Sequence, residues 1–447
     1  MRRAAAVAAL LIVFTGTSAH AAQAAPAVSV QVDSASKSEV ARDFAGFSYE
    51  KDRVGARMFN ARNTDLVRLF RLLGPSLLRI GGNLVDMTTW NPAGTGGKAD
   101  EVTPADIREL AMFAKATGWK VIYGINLKTN TPEAAAEEAQ QAAKILGKDL
   151  TAFEIGNEPN VYVKTWPEYE ALFSKFADAI RAKVPGAKFD GPGEANKTAW
   201  AMDFGRTQKD RGATILSTHQ YIARNDKASI PDMLASNKSG RLPNASAAMQ
   251  KAWEANGIKQ WRVTEANNYY HGGADGVSNV QAAALWSLDY LSGVAAQQGS
   301  GINFHGGTST QFPLHYSPIR YDGLDPVGVQ AVYYGELLWK LAGPGAYHAA
   351  SVTGADEVTA WGIGNNAFVN NKNASSVTAT VKLPKKAHHA SVYVLTAPAL
   401  DSKEITIAGS KVEKNAKFTP RPKSVKVTGT TTTVDVPANS AVLVVTR

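Results

Sequence analysis

No cysteine occurs among the 447 residues, so no disulfide staples this fold and packing alone must stabilise it. Downstream of the N-terminus there is no run of the roughly 20 apolar residues that a helical membrane span needs. That predicts a mature chain in solution, a monomer with no stable membrane association. Internal repeats and low-complexity tracts are absent, as are clustered arginines and nucleic-acid motifs, and nucleic acid is therefore not an expected partner. His305 and His315 stand in no H-E-x-x-H or similar ligand spacing, so neither a metal nor any other cofactor is expected. What is present is an ordinary globular balance, 44% hydrophobic and 19% charged, sufficient to fill a large core.

The first 24 residues read as an export signal. Arg2 and Arg3 form a basic start, Ala4 to Phe14 is apolar but too short to span, and Ala19-His20-Ala21 and Ala22-Gln23-Ala24 offer cleavage sites. A secreted or periplasmic location follows, with cleavage between Ala21 and Ala25. The formal charge is +9, and loss of Arg2 and Arg3 leaves +7. A basic surface concentrates anionic partners through its long-range field. With export weighing against nucleic acid, an acidic polysaccharide fits that charge, as does plain solubility.

The length exceeds one average domain and suits a barrel of about 250–300 residues with a smaller partner. From Ala45 to His305 short apolar runs alternate with amphipathic stretches, the pattern of repeated βα units. Phe44–Tyr49, Leu77–Ile80, Val121–Ile125, Phe153–Ile155, Phe189–Gly191, Ile215–Thr218, Trp261–Thr264 and Ile302–Phe304 make eight strands. Thr103-Pro104 and Thr131-Pro132 each supply an N-cap followed by a helix-opening proline. Helices are expected over Thr103–Thr117, from Thr131 to Leu146, and over Trp166–Lys183, Ala199–Phe204, Ala245–Asn256 and Val280–Gly299. The fold class is α/β, a (β/α)8 barrel over residues 45–341, with its active site at the C-terminal ends of the strands.

After Leu341 short Val/Thr-rich alternating runs appear, such as Ser375–Leu383, Ala390–Leu395, Ser424–Val427 and Ala441–Val445. They predict an antiparallel β-sandwich over residues 342–447 that packs on the barrel. No stacked-aromatic sugar platform marks it as a binding module. Val28–Val32 alternates likewise, so residues 25–44 are expected to lend that sandwich a strand.

The chemistry concentrates at two strand ends. In Phe153-Glu154-Ile155-Gly156-Asn157-Glu158-Pro159-Asn160, Glu158 stands just past the fourth strand, able to protonate a leaving oxygen while Asn157 bonds a sugar hydroxyl. Trp261-Arg262-Val263-Thr264 runs straight into Glu265, which tops the seventh. Strands four and seven face each other across a barrel. Retaining glycoside hydrolysis needs two carboxyl groups about 5–5.5 Å apart, one holding a proton and one ionised. Glu158 has to keep its proton while Glu265 stays charged, beside a cation such as Arg79. Arg79 reads equally as a structural partner for buried carbonyls.

Ser48-Tyr49-Glu50, Leu78-Arg79-Ile80-Gly81-Gly82-Asn83, Asn157-Glu158-Pro159, His219-Gln220-Tyr221 and Glu265 followed by Tyr270-His271-Gly272-Gly273 resemble glycoside hydrolase family 79. That family includes β-glucuronidases and heparanases, and the resemblance runs from about Ala45 through the C-terminal domain. It implies a retaining mechanism, no metal, and glucuronic acid in the subsite before the cleaved bond. Carried over, Glu158 is the acid/base and Glu265 the nucleophile. Tyr221 matches a sixth-strand tyrosine that bonds the nucleophile or the sugar. Gly272 and Gly273 with Tyr316 match the group that recognises the uronate carboxylate. Successive glycine N–H groups can form such an anion-binding concavity, and a phenol adds a neutral donor. His271 departs from the pattern, standing where human-type heparanases carry another glycine.

Glu50 and Asn83 at the ends of strands one and two can bind sugar hydroxyls, Glu50 reading equally as a solvated loop charge. His219 fits a hydrogen bond behind the site or a core histidine, and Tyr269, Trp90 and Trp200 fit core packing better than sugar stacking. The expected function is retaining hydrolysis of β-linked glucuronic acid in an oligo- or polysaccharide. Net charge and the basic segment Lys51–Arg57 lean toward an endo-acting enzyme on an acidic glycan such as heparan sulfate. An exo-acting β-glucuronidase, a clan relative with a neutral sugar such as arabinose or xylose, and a non-catalytic carbohydrate-binding barrel are the alternatives.

Overall fold

The computed structural model describes residues 25–447, and the export signal expected over residues 1–24 lies outside them. Eight parallel strands close a barrel in chain order: Ala45–Glu50, Leu77–Gly81, Lys120–Ile125, Leu150–Ile155, Phe189–Ala195, Ala213–Arg224, Gln260–Tyr270 and Ile302–Gly306. Each contains or overlaps the strand predicted from sequence. The second and eighth strands are buried at every residue, as expected of a parallel sheet covered on its outer face by helices.

The helices begin where the caps predict. Thr103 and Asp106 form a reciprocal capping box for Pro104–Thr117, which ends at a left-handed Gly118. Thr131 caps Pro132–Leu146 by accepting from the Ala134 N–H. The helix Trp166–Lys183 has the bounds expected of it. Thr64–Leu73, unpredicted, buries Leu66, Leu69, Phe70 and Leu73, and Phe70 and Trp119 pack around Phe47 of the first strand. Each such large apolar side chain contributes about 1.5–3 kcal/mol on burial.

Beyond the barrel lies an 11-stranded, β-rich layer in which Gly345–Thr353 joins two sheets. Ala27–Val32 lies within it, antiparallel to Gly345–Thr353 and parallel to Val377–Lys382, the other pairings being antiparallel. Its strict exposed–buried alternation places Val28, Val30 and Val32 in a separate valine-rich core. The helix Gln281–Ala296 is buried on almost every side because it is wedged between barrel and sandwich. Asn370 donates to the Leu285 carbonyl at 3.0 Å, and Lys372 pairs with Asp289 at 2.8 Å across the seam. No helix of the described residues is long and apolar enough to cross a membrane.

Two features that position the site have no sequence forecast. The sixth and seventh strands run on past the barrel, to Arg224 and Tyr270. Their register jumps from Thr218 opposite Val263 to His219 opposite Glu265, a bulge that re-aims the Glu265 side chain. After the eighth strand, residues 307–330 form a rim segment containing the hairpin Ile319–Asp322 and Asp325–Val329.

Candidate active site

Glu158 follows the buried fourth strand through a strained turn. Gly156 has φ +83°, and a Cβ there would lie 2.9 Å from the Tyr162 hydroxyl and 3.0 Å from Leu127. Glu158 itself sits at φ +48°, a conformation that costs a non-glycine residue energy and collects at functional sites. The Asp86 carboxylate holds the turn, accepting from Leu127 N at 3.0 Å, Lys128 N at 3.3 Å and Asn157 N at 3.2 Å.

Across the mouth, Glu265 tops the seventh strand. One oxygen accepts from the Tyr221 hydroxyl at 2.8 Å, the other from Arg79 Nη1 at 2.7 Å. An oxygen of Glu158, a nitrogen of His219 and an oxygen of Glu265 all lie within 4.8 Å of one another. The carboxylate separation is therefore within the reach of a covalent retaining mechanism. Three such atoms could also suggest metal ligation. Both Glu265 oxygens already accept hydrogen bonds, however, and a guanidinium at 2.7 Å opposes a cation there.

Arg79 organises the floor. It is fully buried on the second strand and donates to Glu154, Glu265, Asn157 at 2.8 Å and Ser48 at 3.1 Å. The glycines after it are required by close approach. A Cβ at Gly81 would meet the Arg79 guanidinium at 2.2 Å, and one at Gly82, whose φ is +70°, would meet the Glu50 carboxylate at 2.2 Å. Burial works to raise the Glu265 carboxyl, but the charges of His305 and Arg79, with the Tyr221 hydrogen bond, bring it down to about 2. Glu265 is thus ionised across the working pH range. His305 is pushed down by burial, yet the Glu265 and Glu50 carboxylates carry its affinity for a proton above the ordinary value.

The remaining sequence-predicted residues gather around this pair. Asn157 is buried and donates to Asn83 Oδ1 at 3.1 Å, and Asn83 is itself exposed at the mouth. Glu50 accepts from Leu84 N at 2.7 Å and lies 3.7 Å from His305, so it is an anchored carboxylate at the rim and not a solvated loop charge. The Tyr221 ring stands 6.2 Å from those of both Tyr270 and Tyr316. Gly272 and Gly273 have φ +87° and +72°, and a Cβ at Gly272 would strike the Pro313 carbonyl at 2.3 Å. Tyr316 N donates to the Gly272 carbonyl at 3.2 Å, tying the rim segment to the glycine turn. His271 adopts φ +63° and turns its exposed ring outward toward Phe312. The substitution of glycine by histidine therefore leaves the backbone turn in place.

Sequence reasoning missed Glu154, which pairs with Arg79, and Asp190 beside it. Burial and the neighbouring Glu154 charge push Asp190 well up, so it stays protonated next to that carboxylate. His305, read from sequence only as a weak metal candidate, lies 3.7 Å from Glu265 and bonds Ser48 at 3.1 Å. The signal available was acidic and polar residues inside strands otherwise apolar, which a barrel buries in a layer. The segment Lys51–Arg57 departs from expectation. Lys51 is buried against Glu138 at 2.5 Å, Arg53 pairs with Asp52, and Arg57 pairs with Asp106 at 2.8 Å. Each of its cations is paired with a carboxylate, while Arg53 also lines a cavity beside Thr308, His315 and Arg320.

Glu194, at the end of the fifth strand, accepts from Trp200 N at 2.8 Å, and burial raises its carboxyl to about 7. A raised carboxyl contributes stability that is complete below the unfolded value near 4.5 and lost as pH rises through 7. Glu194→Gln should therefore gain on the parent by about 3 kcal/mol between pH 4.5 and pH 8, read from urea unfolding at each pH. A pH-independent difference would show that Glu194 ionises normally.

Residues 351–443 match the model of the glycosyl hydrolase family 79 C-terminal beta domain. That span lies within the sandwich. The family resemblance of the barrel motifs and this match in the separate β domain agree. A β-glucuronidase of Aspergillus niger is 25% identical over 328 residues, covering 63% of this chain and 58% of the relative. One from Neurospora crassa is 25% identical over 316 residues, covering 58% of this chain and 55% of the relative. The chain thus aligns with less than two thirds of either relative's length. Among solved structures, a 4-O-α-L-rhamnosyl-β-D-glucuronidase from Fusarium oxysporum superposes with a TM-score of 0.73 at 19% identity, covering 93% of this chain and 100% of that one. A family 51 arabinofuranosidase from Xanthomonas axonopodis gives 0.68 at 16% identity, covering 94% and 99%. Likenesses this remote establish the shared barrel-and-sandwich fold.

Proposed function

We propose that this chain is a retaining β-glucuronidase of glycoside hydrolase family 79. The observation that carries the reading is the pair of carboxylates, Glu158 and Glu265, brought within 4.8 Å from opposite strands, with Arg79 and Tyr221 holding Glu265 ionised. Glu265 attacks the anomeric carbon and forms a glycosyl ester while Glu158 gives its proton to the departing oxygen. Glu158, then a carboxylate, takes a proton from water as that water displaces Glu265, and both groups return to their starting states.

Glucuronic acid as the sugar is supported by the Tyr270–Gly273 turn tied to buried Tyr316, and by the two fungal relatives bearing the name β-glucuronidase. Consecutive left-handed residues and a phenol suit a carboxylate and are unneeded for a neutral ring. With Lys51, Arg53 and Arg57 each paired to a carboxylate, the charge argument for an open anionic groove is weakened. We therefore favour a terminal β-glucuronide as substrate, met outside the cytoplasm in keeping with the leader-like N-terminus.

Purified protein should release nitrophenol from a nitrophenyl β-glucuronide with kcat/KM at least about 100-fold above that for the matching glucoside or arabinoside. Heparan sulfate should yield no shortened chains. Preference for a neutral glycoside would return the reading to a clan relative, and chain shortening without free glucuronate would restore the endo mode. Binding without turnover would leave a carbohydrate-binding barrel.

A further inference from the structure

Resting on the acid/base role of Glu158, we infer that His219 is a positioning residue that holds the Glu158 proton on one chosen oxygen. His219 is fully buried on the sixth strand, and its ring bridges two groups that differ in what they can accept. Nε2 lies 3.4 Å from Arg79 Nη2, and a guanidinium has protons to give and no lone pair to receive one. A proton on Nε2 would face those N–H groups, and the nearest carboxylate oxygen, Glu154 Oε1, is 3.8 Å away, too far to accept it. Nε2 is therefore the bare nitrogen, and the ring proton sits on Nδ1.

Nδ1 stands 3.1 Å from Glu158 Oε1 and donates to it. An oxygen that accepts this hydrogen bond is the wrong one to carry the acid proton, since two hydrogens would then meet. The proton of Glu158 is accordingly confined to Oε2, the oxygen left to face the leaving group. When Glu158 has delivered that proton it is a carboxylate, and the Nδ1–H bond to Oε1 strengthens as charge develops. In the second step Oε2 recovers a proton from water, so the histidine never gains or loses one. Arg79 thus reaches both carboxylates, Glu265 directly through Nη1 and Glu158 through the tautomer it imposes on His219.

The tautomer is tested without substrate. In protein labelled with 15N-histidine, the pair of resonances that disappears in His219→Asn should show a protonated Nδ1 and a bare Nε2 at neutral pH. The opposite tautomer, or a doubly protonated ring, overturns the inference whatever the enzyme's substrate.

The kinetic arm uses kcat/KM, which reports the step needing the acid. His219→Ala should lose about 100-fold on a nitrophenyl β-glucuronide and less than about fivefold on the dinitrophenyl analogue, whose leaving group needs no proton. His219→Asn, whose amide N–H can replace Nδ1–H, should recover at least about tenfold of that loss. Equal losses on both substrates with no recovery by asparagine would reduce His219 to core packing. Should the alanine variant misfold, the asparagine variant and the spectrum still decide the matter. If the parent protein cleaves no glucuronide, the proposed substrate fails, and the tautomer result stands by itself.

Discussion

Glu265→Gln is expected to lower kcat/KM on a nitrophenyl β-glucuronide by on the order of 10⁴-fold or more while the protein remains folded. Glutamine keeps the shape of the side chain and its hydrogen bond from Tyr221, but an amide cannot form the glycosyl ester. No change of leaving group should restore the rate. Glu158→Gln should behave differently. It removes a proton that only poor leaving groups need, so its loss should shrink as the leaving group improves, and added azide should restore turnover by attacking the intermediate without a general base. Far-ultraviolet circular dichroism would verify folding in both variants. A mass shift on a peptide containing Glu265, after reaction with a 2-fluoroglucuronide, would locate the ester. Unchanged kcat/KM in either variant, or the adduct on another residue, would falsify the pairing.

Arg79→Met should be the most destructive change outside the carboxylate pair, in stability as well as rate. The guanidinium is fully buried and balances Glu154 and Glu265 while bonding Asn157. Removing one partner of such a buried network leaves charge uncompensated, at a cost of about 3–5 kcal/mol. The double change Arg79→Met with Glu154→Gln should recover part of that cost, because it removes one of the stranded carboxylates. The pH profile gives an independent reading. With Arg79 present, Glu265 is held at about 2. Without it, burial is opposed only by His305 and Tyr221, so the carboxyl moves upward and the acid limb of kcat/KM shifts to higher pH. A stable methionine variant with an unmoved acid limb would mean that Arg79 does not hold the nucleophile ionised.

Much of the architecture was legible because it rests on local physics. Thr103-Pro104 and Thr131-Pro132 announce helices by satisfying exposed N–H groups, and their helices start there. Val28, Val30 and Val32 announce a half-buried strand by alternation. Glu158 and Glu265 stand out because each ends an apolar strand. Glu154 and Asp190 did not, because inside a parallel strand alternation does not distinguish a polar layer from a solvated face. Tyr316 was found only through family resemblance. It lies in a rim segment held by the Gly272 carbonyl, a partner 44 residues earlier in the chain.

By itself the sequence determined the order of the eight barrel strands, the helices opened by Thr103-Pro104 and Thr131-Pro132, and the two acidic strand ends. These follow from periodicity and capping, which act between near neighbours. Only the tertiary structure decided that Glu265 and Glu158 meet across the mouth, that Arg79 reaches Glu154 as well as Glu265, and that His219 touches the acid. Those outcomes depend on closure of the sheet, which sets distant side chains at hydrogen-bonding range in a buried layer where charges must find partners.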